Sequence, residues 1–279
     1  EASREKDFVL IATDGESYGH HHAFGEMALA YAQEQLEARS DCRLTNVASW
    51  LSRNPPKINA RIREESSWSC AHGVGRWSRD CGCKMDASGG LHQKWRGAFR
   101  AALESLRDSA RTALAPLGSE LFADPVAARN AYGEVLHQPG RFADWYSGHT
   151  GSNPNADQAF QWLEVQRRLL AMFTSCAWFF NSVTGIEPLQ NIRLAGSAIG
   201  QLKNLCGIDL AEAFQRDLDG IPSNLGTHKL IETLHENLSP TPKKPLNPGG
   251  ISAEDRRAGV LQPVSALGGG GPIGDLDAA

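Results

Sequence analysis

The pattern of hydrophobic positions opens with a short strand-like run. Residues 8–12 (FVLIA) are uninterruptedly apolar and are followed by Asp14 and Gly15. A run of this length, rich in β-branched side chains and closed by a turn signal, is typical of a strand buried on both faces of a parallel sheet. We therefore predict a strand at residues 8–12.

A helix and a second strand are predicted next. Apolar side chains recur at helical spacing from Phe24 to Leu36, which predicts an amphipathic helix over residues 24–38. Residues 43–47 are predicted as the following strand, and the Pro55-Pro56 pair closes the region. We accordingly predict a small α/β domain at residues 1–60.

Helical periodicity dominates residues 61–235, which we predict to be a helical domain. One apolar stripe starts at Trp95 and is expected to end at Pro116, and further helices are predicted near residues 160–173 and over 186–205. Residues 236–279 are rich in Pro and Gly and poor in large apolar groups, so we expect a disordered tail. The expected fold class is mainly α with a small α/β part.

Composition narrows the classes of function. The 279 residues carry a formal net charge of -4 with both signs interspersed, which does not indicate a nucleic-acid partner. No apolar run reaches the roughly 18 residues typical of a membrane span. The six cysteines are too sparse and uneven for a disulfide-stapled secreted domain, so we expect a reducing, cytoplasmic compartment.

The segment 14–22 (DGESYGHHH), called the acidic loop below, carries two carboxylates and three histidines directly after the predicted strand. Catalytic groups of parallel α/β proteins stand on loops that follow the carboxyl ends of strands. Asp14 and Glu16 are two residues apart, which places both on one side of extended backbone, as paired acid catalysis requires. The alternative is that both acids cap the next helix and that the histidines are merely exposed.

The acidic loop resembles the fourth conserved region of glycoside hydrolase family 57, whose pattern D-x-E-x-(aromatic)-G-H is met at every position of residues 14–20. The resemblance implies a strand and helix remnant of a (β/α)7-type barrel followed by a helical domain. It also implies that Asp14 is the general acid/base of a retaining mechanism and that Glu16, His20 and His21 bind substrate. The family's Glu nucleophile stands on an earlier strand, so we expect it upstream of this chain and expect the chain alone to be inactive.

Two aromatic segments extend the resemblance into the helical domain. Residues 175–180 (SCAWFF) are similar to the family's fifth conserved region, except that Cys176 stands where the family usually has an acidic residue. Together with residues 65–83, the longer segment 175–186 resembles a family 57 subgroup that carries a domain of unknown function, number 3536. Trp178 could stack on a sugar or belong to the core.

The stretch 65–83 is expected to line a sugar cleft through the side chains of Trp68, His72, Arg76 and Trp77. Its soft metal ligands offer an alternative, a Zn²⁺ site made of Cys70, His72, Cys81 and Cys83. The C-x-H and C-x-C spacings differ from the usual C-x₂-C knuckle, so we expect no metal and no cofactor.

Three functions stay open at this stage. The expected one is a retaining hydrolase or transglycosylase acting on α-glucans or oligosaccharides. The second is a metal-dependent carbohydrate hydrolase or deacetylase that uses the carboxylates and histidines of the acidic loop. The third is a sugar-binding module without catalysis.

Overall fold

The computed structural model describes residues 8–85, 90–136 and 138–238. They belong to two compact units, Glu1–Glu64 and Glu65–Ala279. The described residues are mainly helical, which confirms the mainly α class. The tail predicted at residues 236–279 lies outside the described residues from position 239 onward.

The first unit contains two helices within its described residues, α1 (Gly25–Glu37) and α2 (Val47–Arg53). The helix predicted over 24–38 is confirmed by α1. The strand predicted at 43–47 is wrong, because Val47 opens α2 instead. The side-chain oxygen of Asn46 accepts a hydrogen bond from the Ser49 amide at 2.8 Å and so caps the first turn.

The strand predicted at residues 8–12 is not formed. No strand pairing involves these residues within the described part of the chain, and Val9, Leu10 and Ile11 are 79%, 62% and 81% exposed. The prediction was wrong because an apolar run becomes a buried strand only where neighbouring strands supply main-chain partners and cover both faces. The barrel remnant is therefore not present as a sheet in these residues.

The second unit is built from the helices α3 (Trp95–Leu121), α4 (Pro125–Ala131), α5 (Gly133–Leu136), α6 (Phe142–Ser147), α7 (Ala156–Ala171), α8 (Ile186–Cys206), α9 (Ala211–Asp219) and α10 (His228–Glu236). Helix α8 packs against α3, α7 and α10, and α9 packs against α3 and α10. The helices predicted near 160–173 and over 186–205 are confirmed by α7 and α8. No helix among the described residues is both long and apolar enough to cross a membrane.

Helix α3 continues through Pro116, where it was predicted to end. The buried side chains of Leu114 and Leu121 keep its last turns on the core, and this burial outweighs a Pro cost of about 3 kcal/mol. Gly118 lets α7 come close, since a Cβ there would lie 2.8 Å from the Trp162 ring. The Trp162 indole also donates to the Leu114 carbonyl at 3.0 Å. Packing thus overrides the local helix breaker.

Candidate functional site

The acidic loop is held in shape by its own main chain. The carbonyl of Asp14 accepts a hydrogen bond from the Ser17 amide at 3.0 Å, and the carbonyl of Glu16 accepts one from the His21 amide at 2.8 Å. Gly19 takes a φ of 90°, a left-handed conformation that favours glycine and lets the chain reverse. The loop is a defined turn of the chain.

The two carboxylates of the loop are exposed. Residues 15–17 form a turn of 3₁₀-helix, so the backbone between Asp14 and Glu16 is not extended and the argument that put both on one side does not hold. Among the described residues, neither carboxylate has a hydrogen-bond or ion-pair partner. Neither acid caps a helix through its side chain. Both are therefore accessible to a ligand.

The histidines of the loop are exposed as well. The rings of His20 and His21 lie with their centroids 4.8 Å apart. Within the described residues, the carboxylates and imidazoles of the acidic loop do not converge on a common metal position. The metal-dependent alternative thus lacks its ligand set there.

A cleft with a volume of about 610 Å³ lies within the second unit. Its wall includes Trp77, whose indole donates to the Ser175 carbonyl at 3.0 Å. Arg100 pairs with Glu104 at 2.7 Å and lies 4.8 Å from the centroid of the Phe173 ring. The sequence analysis identified Trp77 as a site residue but missed Arg100, Glu104 and Phe173. Arg100 and Glu104 offered only the i,i+4 spacing of an ion pair, which is ordinary on an exposed helix face, and Phe173 offered only its place in an apolar helical pattern.

The remaining aromatic candidates differ in accessibility. Trp68 is 84% exposed beside Phe179, with ring centroids 6.1 Å apart. Trp178 is completely buried and its indole donates to the Arg96 carbonyl at 3.0 Å, so it is a core residue and not a sugar platform. Arg76 is also buried, with its guanidinium 4.7 Å over the Phe179 ring. The assignments of Trp178 and Arg76 to sugar contact are corrected.

The structure brings four soft ligands together, and we call them the Cys–His cluster: Cys70, His72, Cys81 and Cys83. The Cys70 sulfur lies 3.8 Å from each of the other two sulfurs and 4.0 Å from Nδ1 of His72. The Cys83 sulfur lies 3.5 Å from the same Nδ1. All four ligand atoms fall within 4.8 Å of one another. The C-x-H and C-x-C spacings, which were expected to make closure harder, do not keep the four ligand atoms apart.

Glycines help the four ligands to come together despite the unusual spacings. Gly82 has a φ of 82° and turns the chain between the two cysteines that flank it. Gly75 lies between the two halves of the cluster, where a Cβ would come within 3.3 Å of both the Cys81 and His72 side chains. At Gly73 a Cβ would lie 2.4 Å from the Glu65 carbonyl oxygen. A side chain would clash with the main chain at Gly73 and would crowd the cluster at Gly75, and the positive φ of Gly82 favours glycine.

The surroundings of the cluster shift the pKa values of two of its thiols in opposite directions. Burial raises the pKa of the Cys70 thiol, but the backbone amides of His72 and Arg76 and the neighbouring thiol together lower it to about 6. Burial raises the pKa of the Cys81 thiol. Arg96 is completely buried beside the cluster and donates to the Cys83 carbonyl at 2.7 Å. The cluster is a thiol and imidazole ligand set beside the buried cation of Arg96.

Comparison with protein families matches residues 91–241 to the family described as "Domain of unknown function (DUF3536)". The matched segment begins just before α3 and extends past α10, and so covers the helices of the second unit. Comparison with curated proteins and with solved structures gave no match.

Proposed function

We propose, on the premise that this chain belongs to the DUF3536 family, that it is part of a retaining enzyme that hydrolyses or transfers α-glucans. Asp14 is the general acid and base in this proposal. The observation that carries the proposal is the acidic loop. Its D-x-E-x-(aromatic)-G-H pattern follows an exposed apolar segment, and its two carboxylates are accessible to a ligand. The family 57 resemblance of that pattern supplies the reaction class.

The exposed segment before the loop supports this assignment. Three consecutive large apolar side chains, Val9 to Ile11, are each more than half exposed in non-helical backbone that ends at Asp14. An apolar segment of this kind becomes a barrel strand once neighbouring strands pair with it and cover its faces. Asp14 would then stand at the carboxyl end of that strand, where barrel enzymes carry their catalytic groups.

The proposed chemistry assigns each loop residue one task. Asp14 protonates the leaving glycosidic oxygen, and the same carboxylate then removes a proton from the incoming water or sugar hydroxyl. A second carboxylate, on another barrel strand and about 5 Å from Asp14, is the nucleophile. Glu16, His20 and His21 hydrogen-bond sugar hydroxyls. All three are exposed and can reach a ligand.

The cleft of the second unit is proposed to bind a sugar residue. Its volume of about 610 Å³ is in the range of small-molecule pockets. Trp77 and Phe173 offer aromatic faces for the apolar side of a pyranose, and the Arg100–Glu104 pair offers a donor and an acceptor for hydroxyl groups. Trp68 adds an exposed indole on the same unit.

The test is to replace Asp14 with asparagine in the full-length protein and to measure release of reducing ends and glucan transfer. We expect turnover to fall by roughly 10²- to 10⁴-fold, the usual contribution of a general acid. An acid/base variant of a retaining enzyme also regains turnover with azide on a substrate with an activated leaving group, since azide attacks the covalent intermediate without base assistance.

The matched control is Glu34→Gln, an exposed carboxylate on α1 of the same unit, which should leave turnover unchanged. Undiminished activity of the Asp14→Asn variant would refute the catalytic role. Glucan binding by the wild-type protein without any turnover would instead favour the non-catalytic sugar-binding module.

A further inference from the structure

We propose that the Cys–His cluster binds one Zn²⁺ ion in a closed, tetrahedral, four-ligand site. Zn–S bonds of about 2.3 Å and Zn–N bonds of about 2.0–2.1 Å give tetrahedral edges of about 3.8 Å between sulfurs and about 3.5 Å between sulfur and nitrogen. Two of the three sulfur–sulfur distances in the cluster are 3.8 Å, and two of the three sulfur–nitrogen distances to His72 are 3.5 and 4.0 Å. All four ligand atoms lie within 4.8 Å of one another. Four of the six edges therefore lie within about 0.5 Å of those of a tetrahedral zinc site.

The type of ligand selects the metal. Three thiolates and one imidazole are soft and borderline ligands, which exclude Ca²⁺ and Mg²⁺ and fit Zn²⁺ in tetrahedral geometry. A polynuclear iron–sulfur cluster places several irons and sulfides between its cysteines and needs them farther apart than the 4.8 Å limit seen here. His72 binds through Nδ1 as neutral imidazole, which leaves its Nε2 protonated.

Charge gives an independent argument. Arg76 and Arg96 are 4% and 0% exposed, and neither forms an ion pair with a carboxylate in the part of the chain that the structure describes. Buried guanidinium groups require nearby negative charge. On binding Zn²⁺ the three thiols release their protons to solvent, so the site carries three thiolates and one dication, a net charge of -1. The site then adds negative charge beside Arg96, on which Cys81, Asp80 and Cys83 act as neighbouring groups.

The closed site gives the zinc a structural role. Within residues 65–85 the regular structure is one turn of 3₁₀-helix, Gly75–Trp77, so few main-chain hydrogen bonds hold the segment. Two hydrogen bonds attach it to the helical part of the unit. The Trp77 indole donates to the Ser175 carbonyl, and the Arg96 guanidinium donates to the Cys83 carbonyl. A four-coordinate ion fixes the segment, and with it one wall of the 610 Å³ cleft.

The experiment is to refold the chain, without a metal-affinity tag, in reductant and excess ZnCl₂, to remove unbound metal by gel filtration, and to measure zinc by mass spectrometry. We expect one zinc per chain, and tetrahedral thiolate-type absorption in the visible after exchange with Co²⁺. Cys81→Ser should lower the zinc content to background. Cys81→His keeps a ligand at that position, so it should retain zinc and change the cobalt spectrum.

The matched control is Cys176→Ser, which removes an exposed thiol outside the cluster in the same unit and should keep one zinc per chain. A wild-type protein that leaves the column without zinc would overturn the proposal, as would a Cys81→Ser variant that keeps it. Iron in place of zinc, or a disulfide within the cluster after refolding in reductant, would also overturn it. None of these outcomes depends on the carbohydrate proposal, which is tested by turnover alone.

Discussion

Glu164 is the one buried carboxylate among the described residues of the second unit, and it pairs with two arginines. Replacing it with glutamine tests how much this charge contributes to stability. Glu164 on α7 is 5% exposed and accepts hydrogen bonds from Arg167 at 2.8 and 2.9 Å, from Arg168 at 3.0 Å and from the Tyr132 hydroxyl at 2.9 Å. The Arg168 side chain is only 10% exposed, whereas that of Arg167 is 40% exposed. The substitution removes the charge without changing the size of the side chain. It leaves Arg168 buried without a counter-charge.

The expected loss of unfolding free energy is about 3 kcal/mol at pH 7, the lower end for removing one partner of a buried ion pair. We take the lower end because Gln keeps one acceptor oxygen and because Arg167 can turn toward solvent. Burial raises the pKa of Glu164. The hydrogen bonds and charges of the neighbouring arginines lower this pKa by more, so it lies below its ordinary range. The stability it contributes is therefore complete above an unfolded pKa of about 4.3 and is lost as pH falls through the folded pKa.

The assay is urea unfolding followed by far-ultraviolet circular dichroism, from pH 7 down to pH 3, for wild type and variant. The difference in unfolding free energy between wild type and variant, called the gap below, should stay constant above roughly pH 5 and shrink below pH 4. Glu104→Gln is the control, since the Arg100–Glu104 pair is 36% and 40% exposed and should contribute less than about 0.5 kcal/mol. A Glu164→Gln loss under about 1 kcal/mol, or a gap of equal size at pH 3 and pH 7, would refute the reasoning.

Two further substitutions test packing and capping with the same assay. Gly118→Ala places a Cβ 2.8 Å from the Trp162 ring and should cost about 1–3 kcal/mol, whereas Gly133→Ala, with nothing within 4 Å, should be neutral or slightly stabilising. Asp124→Ala removes the carboxylate oxygen that accepts from two amides of the first turn of α4 at 2.9 and 3.0 Å, and it should cost about 1 kcal/mol. An unchanged urea midpoint in either Gly118→Ala or Asp124→Ala would contradict the corresponding contact.

The three long helices of the second unit, α3, α7 and α8, were predictable because each has enough length and periodicity to specify itself, whereas the short helices were not predicted. The stripe that starts at Trp95 repeats over several turns, and its members are buried as the pattern requires. The two predicted strands failed for opposite reasons. Residues 8–12 needed partners that no local pattern supplies, whereas at 43–47 the Asn46 cap turned an ambiguous run into the start of a helix. Local capping and non-local pairing are what a hydrophobic pattern leaves undetermined.

The two candidate sites also differ in how far the sequence predicts their geometry. The acidic loop could be identified from its motif, but the side on which Asp14 and Glu16 stand depends on a 3₁₀ turn that the two-residue spacing does not reveal.

The Cys–His cluster is the reverse case. Spacing argued against closure, yet Gly75 and Gly82 fold the segment so that its four ligand atoms meet. Gly82 makes the turn between Cys81 and Cys83 with a positive φ, whereas Cys70 and His72 are separated by Ala71, which has no positive φ. The conformation of the residues between and beside the ligands, and not only the ligand spacing, therefore bears on whether such a sequence can close around a metal.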